Sequence, residues 1–169
     1  MKKYCVVMLV LVAMVNLGYS QMTPAKQIPP NVTQQIKIKA PVQVVYDYLR
    51  TFDNVNEYAS DLVLTSKIVL RANNPQREVV FKNGNKRLEE LAIIAPKANK
   101  LGVKVMNPDN RFSRYFYYFE IRPKGAHISK VTLKAYYGLN DNTLSKAVKK
   151  EVQNEFKIIL EGLKNHFEN

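Results

Sequence analysis

The stretch from Asn142 to Asn169 has the pattern of one long amphipathic helix, and it constrains the fold more than any other part of the chain. Lysines and glutamates dominate one face of this helix, and at 1.5 Å per residue it would be about 40 Å long. Its large apolar residues recur every three or four positions, which is the period of the opposite face: Leu144, Val148, Val152, Phe156, Ile159, Leu160, Leu163 and Phe167. Such a one-sided helix needs an extended apolar surface to pack against.

The first twenty residues predict a cleavable secretory signal peptide. The basic start Met1-Lys2-Lys3 precedes an apolar run from Tyr4 to Val15, and the small residues Gly18 and Ser20 precede a cleavage site before Gln21. The apolar run is shorter than the roughly 20 residues of a membrane span. We therefore expect an exported protein, periplasmic or secreted, that is not an integral membrane protein.

Removal of residues 1–20 also changes the chemistry available to the chain. Cys5 is the one cysteine in the sequence and would leave with the signal peptide, so we expect no disulfide, thiol nucleophile or thiolate metal site. Net charge falls from +12 to about +10, because Lys2 and Lys3 are lost. A basic surface permits weak contact with anionic surfaces such as membrane headgroups. Because the lysines form no block and export is expected, the sequence predicts no nucleic-acid partner.

The remaining chain predicts a flexible leader over residues 21–31 and a single domain over residues 32–169. Alternating residues predict a first strand over Val32–Lys39. Pro41 then opens the first of two short helices, since proline suits the first helical position. From Leu62 to Tyr137 the apolar period changes to two, and turn residues divide this region into six strands.

The turn residues also predict which side chains share a face. A two-residue turn at Asn83-Gly84 would place Arg77 opposite Glu90, and directly opposed side chains lie on one face of an antiparallel pair. Turns at residues 108–109 and 124–125 extend this register to the later strands. The resulting apolar face would hold Val79, Phe81, Leu88, Ala92, Ile94, Leu101, Val103, Val105, Phe112, Phe116, Tyr118, Val131, Leu133, Ala135 and Tyr137. Tyr115 and Tyr117 would lie outside.

Several segments together resemble the START-like, Bet v 1-like superfamily and, within it, the SRPBCC proteins of polyketide cyclase/dehydrase type. These segments are Ile36–Leu49, Phe52–Tyr58, Arg77–Phe81, Asn83-Gly84 followed by Glu89-Glu90-Leu91, and the last helix with Gly162-Leu163. The resemblance implies an α+β helix-grip fold: a curved seven-stranded antiparallel sheet around the long C-terminal helix, with two short helices between strands 1 and 2. It also implies an apolar cavity between sheet and helix. The chain has Tyr46 where the first helix of the family often carries tryptophan.

Polar side chains on the predicted inner face form the candidate ligand-binding site. Buried charges are costly unless they are paired, and Arg77 and Glu90 are predicted cross-strand partners with Arg114 within roughly 10 Å. Such a group suits a ligand carboxylate, hydroxyl or keto group in an apolar cavity, although a purely structural ion pair is an alternative. The predicted ligand-binding residues are Arg77, Glu90, Arg114, Phe116, Tyr118, Tyr137 and Phe156.

Three functions remain open at this point. The first is an exported binding protein for a small apolar or amphipathic molecule, lipid-like or polyketide-like. The second is an enzyme of cyclase, aromatase or lyase type, with Glu90 as general base and Arg77 and Arg114 holding an enolate. The third is a structural or interaction domain whose cavity is filled by side chains. No catalytic residue, metal ligand or cofactor is predicted, since His127 and His166 are far apart in the sequence and no nucleophile or phosphate-loop motif is present.

Overall fold

The computed structural model describes residues 28–71 and 73–169. The predicted signal peptide and residues 21–27 of the predicted leader lie outside the described residues, so those predictions stand as made.

The chain folds as one strand, two short helices, six strands and a long helix, which is the predicted order. The elements are β1 (Val32–Ile38), α1 (Val42–Arg50), α2 (Val55–Tyr58), β2 (Val63–Leu70), β3 (Gln76–Phe81), β4 (Lys86–Ala95), β5 (Lys100–Val105), β6 (Phe112–Gly125), β7 (Ile128–Leu139) and α3 (Ser145–Glu168). The seven strands form one antiparallel sheet in the order β1-β7-β6-β5-β4-β3-β2. The curved sheet and α3 together make the predicted helix-grip fold.

The long helix buries the apolar face that its period predicts. The side chains from this face that are buried are Val148, Val152, Phe156, Ile159, Leu160 and Leu163. A single 3₁₀ turn, Asn142–Leu144, precedes the α-helix, and the Asp141 side chain accepts a hydrogen bond from the Thr143 N–H at 2.9 Å. This bond satisfies one of the free N–H groups at the start of the helical segment.

The β3–β4 hairpin has a three-residue loop, so the predicted pairing of Arg77 with Glu90 is wrong. The Phe81 N–H donates to the Asn85 carbonyl at 2.8 Å, and Gly84 has φ +85° at the last loop position. One extra loop residue shifts the register by one and reverses the faces of β4. Arg77 is therefore opposite Glu89, and Glu89 and Leu91 are buried where Leu88 and Glu90 were expected.

A β-bulge at the start of β6 reverses a second set of predicted faces. The register shifts between the pairs Phe112–Leu139 and Arg114–Gly138, which leaves Ser113 as an extra residue on β6. A bulge of this kind breaks the alternation of the strand. Phe112 is buried as predicted, but beyond the bulge Tyr115 and Tyr117 are also buried, while Arg114 is exposed. On β7 the predicted inner residues are all buried: Val131, Leu133, Ala135 and Tyr137.

Candidate functional site

A buried ion pair occupies the middle of the interior. The Arg77 Nε donates to Glu89 Oε2 at 2.8 Å, and the Tyr117 hydroxyl donates to Glu89 Oε1 at 3.0 Å. The Arg77 Nη1 also donates to the Phe52 carbonyl at 2.6 Å, and its guanidinium lies 4.2 Å from the centre of the Phe52 ring. Each charge is therefore paired and hydrogen-bonded, which is the condition for burying charges inside a fold.

The Glu89 carboxylate is held in its ionised form by its surroundings. Burial alone would raise the pKa of this carboxyl, but the charges of Arg77 and Arg87, with hydrogen bonds from Arg77 and Tyr117, bring the pKa below its usual value. A general base near neutral pH needs a raised carboxyl pKa. Glu89 is therefore suited to holding the sheet together and poorly suited to taking a proton.

A cleft of about 310 Å³ opens at one end of the interior, between the first half of α3, the β3–β4 loop and the β5–β6 loop. We call it the end cleft. Its apolar lining consists of Leu62, Phe81, Val105, Phe112 and Val152, with the Tyr115 ring beside them. Its charged lining includes Arg87, Asp109, Arg111, Glu151 and Glu155. The end cleft thus combines an apolar wall with a polar rim, which suits an amphipathic occupant.

The two arginines of the end cleft are paired with carboxylates. Arg87 makes a bidentate contact with Glu155 of α3, at 2.7 and 3.2 Å, and Arg111 makes a bidentate contact with Glu151, at 2.6 and 3.0 Å. Asp109 also accepts from Arg111, at 2.8 Å. These pairs fasten the helix to the sheet and neutralise most of the charge at the cleft rim.

Tyr115 is the one buried polar side chain in the end cleft whose hydroxyl has no hydrogen-bond partner among the described residues. It is 4% exposed, and its ring stacks on Phe112 with centroids 5.0 Å apart. Burial raises the pKa of the Tyr115 hydroxyl well above its ordinary value, so the group stays neutral and able to donate. A buried hydroxyl left unpaired costs about 1–3 kcal/mol. No solvent reaches this hydroxyl in the structure, so a ligand oxygen would remove that cost once a small side-chain movement uncovers it.

The structure separates the predicted ligand-binding residues into two groups. Arg77, Tyr137 and Phe156 are buried inside, as expected, and Phe156 packs 5.9 Å from the Tyr117 ring. The other four were expected inside, but the shifts in β4 and β6 place them on the opposite face: Glu90, Arg114, Phe116 and Tyr118. The proposed meeting of Arg77, Glu90 and Arg114 at one site is therefore wrong.

The outward residues have partners of their own. Glu90 accepts from the Gln76 side chain at 3.0 Å. Tyr118 stacks on Tyr136 with ring centroids 5.6 Å apart and hydroxyl oxygens 3.1 Å apart. Arg114 and Phe116 line a groove of about 630 Å³ that opens on the outer side of β5 to β7, and the buried Tyr115 and Tyr137 also reach its lining.

Sequence reasoning missed Glu89, Arg87 and Tyr115 for two different reasons. A three-residue hairpin loop with glycine in the left-handed conformation is the common alternative to a two-residue turn, so Gly84 carried a signal for the β4 register. The bulge at Ser113 has no glycine or proline to mark it. Tyr115 could therefore not be assigned to the interior from the pattern of β6 alone.

In the part of the chain that the structure describes, no three His, Cys, Asp or Glu side chains are grouped so that they could hold a metal ion. None of the helices in residues 28–71 and 73–169 has the length and apolar character of a membrane span.

Comparison with known proteins confirms the resemblance inferred from the sequence. The family model described as polyketide cyclase / dehydrase and lipid transport matches residues 29–168. Similar solved structures include the Zhui aromatase/cyclase from Streptomyces sp. R1128, with a TM-score of 0.72, 9% identity and coverage of 81% of this chain and 92% of that chain. A protein of Thermus thermophilus gives a TM-score of 0.67 at 24% identity, covering 80% of this chain and 95% of that one.

A START superfamily protein from Mycobacterium smegmatis gives a TM-score of 0.59 at 18% identity, and the match covers 80% of this chain and 97% of that one. None of the curated proteins matches the chain. These structural likenesses establish the fold, and they leave the ligand and any reaction to be argued from the residues.

Proposed function

Because the chain belongs to the polyketide cyclase / dehydrase and lipid transport family, we propose that it is an exported binding protein for a small amphipathic molecule, lipid-like or polyketide-like. The end cleft is the proposed site. Its volume of about 310 Å³ lies at the lower end of the usual range for ligand pockets, about 300–1,000 Å³. A compact ligand, or the end of a longer one, is the expected occupant.

The observation that carries this proposal is the unpaired hydroxyl of Tyr115. It is buried beside the apolar wall of Phe81, Val105 and Phe112, and its pKa is too high for it to ionise. It is therefore a fixed hydrogen-bond donor for a keto, hydroxyl or carboxylate oxygen. The apolar wall would hold the rest of the ligand, and the paired Arg87 and Arg111 at the rim would tolerate a polar end.

An enzyme of cyclase or aromatase type is the second candidate, and one observation favours it. The neutral Tyr115 hydroxyl can donate to an enolate oxygen that develops on a bound polyketide. The arrangement of Glu90 with Arg77 and Arg114 plays no part in this candidate, because those groups face opposite sides of the sheet. Product formation from a poly-β-keto thioester would distinguish the enzyme from the binding protein.

Native mass spectrometry of the purified protein, followed by thermal-shift titration with a lipid and polyphenol panel, tests the binding function. Tyr115→Phe should weaken the affinity of a bound ligand about tenfold, since a hydrogen bond is worth about 1 kcal/mol or somewhat more. Tyr46→Phe is the matched control, because its hydroxyl is also buried without a partner among the described residues and does not line the end cleft. We expect less than a twofold change for that control.

Two results would count against the binding function. In the first, the protein retains no molecule and shows no thermal shift with any member of the panel. In the second, Tyr46→Phe and Tyr115→Phe weaken binding equally. The third possibility, a structural domain with a filled interior, would then be favoured by the side chains already packed around Arg77 and Phe156.

Export is a separate part of the proposal and rests on the sequence of residues 1–20. Cell fractionation after expression in a bacterial host, with N-terminal sequencing of the product, tests it. A mature chain that begins at Gln21 outside the cytoplasm is the expected result. An uncleaved chain that stays in the cytoplasm would contradict it.

A further inference from the structure

The groove on the outer side of the sheet has a structural origin in the β-bulge of β6. Ladder pairs between β5 and β6 run from Lys100–Glu120 to Lys104–Phe116 and then stop. Beyond Lys104 the two strands carry no ladder pair, and the groove lies beside this separated part. We call it the outer groove. It is bounded by β5, β6, β7 and the segment of residues 28–31, and its volume is about 630 Å³.

Two cations in the outer groove make no salt bridge among the described residues. Lys104 and Arg114 are both exposed, and no aspartate or glutamate of the described chain lines the groove. Glu90 lies across from Lys104 on β4 without forming a salt bridge to it. The end cleft differs in this respect, because Arg87 and Arg111 each hold a carboxylate. The outer groove is therefore complementary to an anion.

The two cations lie on neighbouring strands and line the same groove. Lys104 is the direct cross-strand partner of Phe116, and Arg114 is two residues from Phe116 on the same strand. Diagonal neighbours in a regular ladder have backbones about 7–8 Å apart, whereas Lys104 and Arg114 lie where the β5–β6 ladder ends. A guanidinium fork also binds a carboxylate with two parallel hydrogen bonds.

Apolar side chains line the rest of the outer groove. Ile28 is 70% exposed and Met106 is 37% exposed, while the half-buried Phe116 ring packs over Gly102. Large apolar side chains gathered on an exposed face commonly mark a binding surface. Next to unpaired cations, they favour a ligand with an anionic head and an apolar body.

We propose that the outer groove is a second binding site, for a long-chain carboxylate. Arg114 and Lys104 bind the carboxylate, and Ile28, Met106 and Phe116 contact the chain. The outer groove opens on the face of the sheet opposite α3, and it shares the lining residues Val105, Pro108 and Tyr115 with the end cleft.

Calorimetric titration of the purified protein with sodium laurate, below its critical micelle concentration, tests the proposal. The double variant Lys104→Glu, Arg114→Glu should bind laurate at least tenfold more weakly than wild type. Lys146→Glu, Lys149→Glu is the matched control, since it makes the same charge change at exposed positions of α3. We expect less than a twofold effect for this control, and equal thermal midpoints would show that both variants fold.

Amide NMR during the same titration locates the ligand. Shifts at Lys104, Arg114 and Phe116 that persist in Asn154→Trp, a bulky change at an exposed residue that lines the end cleft but not the outer groove, support the outer groove and separate it from the end cleft. Loss of laurate binding in Asn154→Trp would overturn the proposal. So would equal affinity for dodecanol, which lacks the carboxylate.

Other occupants of the groove give distinct results. If laurate binds only after residues 21–27 are deleted, the chain itself fills the groove and the proposal is overturned. The proposal is also overturned if the wild-type protein does not bind laurate but binds phosphatidylglycerol vesicles through Lys104 and Arg114, because the groove would then face a membrane surface.

Discussion

At the scale of single residues, two tyrosines of β6 have buried hydroxyl groups that should contribute differently to the free energy of unfolding. The Tyr117 hydroxyl donates to Glu89 at 3.0 Å and lies 3.3 Å from Arg77 Nη2, whereas the Tyr115 hydroxyl has no partner among the described residues. Tyr117→Phe should lower the free energy of unfolding by about 1.5–3 kcal/mol, the worth of a hydrogen bond to a charged group. Urea unfolding of the wild type and the variant measures this loss.

Tyr115→Phe is the comparison for this prediction. It removes an unpaired hydroxyl, so the free energy of unfolding in the ligand-free protein should stay within about 0.5 kcal/mol of wild type or rise. The slope of each unfolding curve should be unchanged, which would show that neither substitution alters the surface exposed on unfolding. Equal losses in the two variants would contradict the hydrogen bonds assigned to Glu89.

At the scale of secondary-structure elements, the long helix meets the short helix α2 at a glycine. A Cβ added to Gly162 would lie 1.6 Å from the carbonyl oxygen of Tyr58, the last residue of α2. Helix propensity alone would favour Gly162→Ala by about 1 kcal/mol. The collision with backbone outweighs this gain, so Gly162→Ala should lower the free energy of unfolding by about 2 kcal/mol or more.

Gly125→Ala gives the matched control, because a Cβ there would lie 4.0 Å from its nearest neighbour. Thermal or urea unfolding of the two variants should show a large loss for Gly162→Ala and a change within about 0.5 kcal/mol for Gly125→Ala. A stable Gly162→Ala protein would mean that α2 and α3 pack less closely than the structure has them. Gly162 thus marks a close approach between α3 and α2.

Periodicity predicted the elements of this fold well, and their faces less well, for identifiable reasons. The apolar period of α3 continues over 24 residues, so one irregular position cannot alter the buried face of the helix. A strand has a period of two, so the single extra residue in the loop at Gly84 reversed β4 and the bulge at Ser113 reversed most of β6. The candidate site was affected most, because two of its three charges, Glu90 and Arg114, depended on those two registers.

At the scale of the whole molecule, a basic protein keeps a few carboxylates buried among its cations. Glu120 is covered on the outer face by Arg122, Lys134 and Lys100, with Lys134 Nζ at 2.8 Å and Lys100 Nζ at 3.8 Å. Glu89 is held in the interior by Arg77, as described above. The chain has 26 basic and 14 acidic residues, so protonation of these carboxylates leaves the surrounding cations without compensation. Acid should therefore destabilise this protein strongly.

Glu120 gives this expectation a definite pH range. Burial acts to raise the pKa of the Glu120 carboxyl, but hydrogen bonds from Lys134 and Arg122 outweigh burial and lower it to about 2. Because the pKa is lower in the folded state, the stabilisation is complete above the unfolded pKa of about 4.3 and is lost as pH falls through the folded value. The loss amounts to about 2–3 kcal/mol between roughly pH 5 and pH 2. Urea unfolding at a series of pH values measures it, and Glu120→Gln should flatten the curve by that amount. Glu161→Gln, an exposed change on α3, is the control and should leave the pH dependence of the free energy of unfolding as it is in wild type. If Glu120→Gln lost stability in acid as steeply as wild type, other carboxylates would be responsible for the loss.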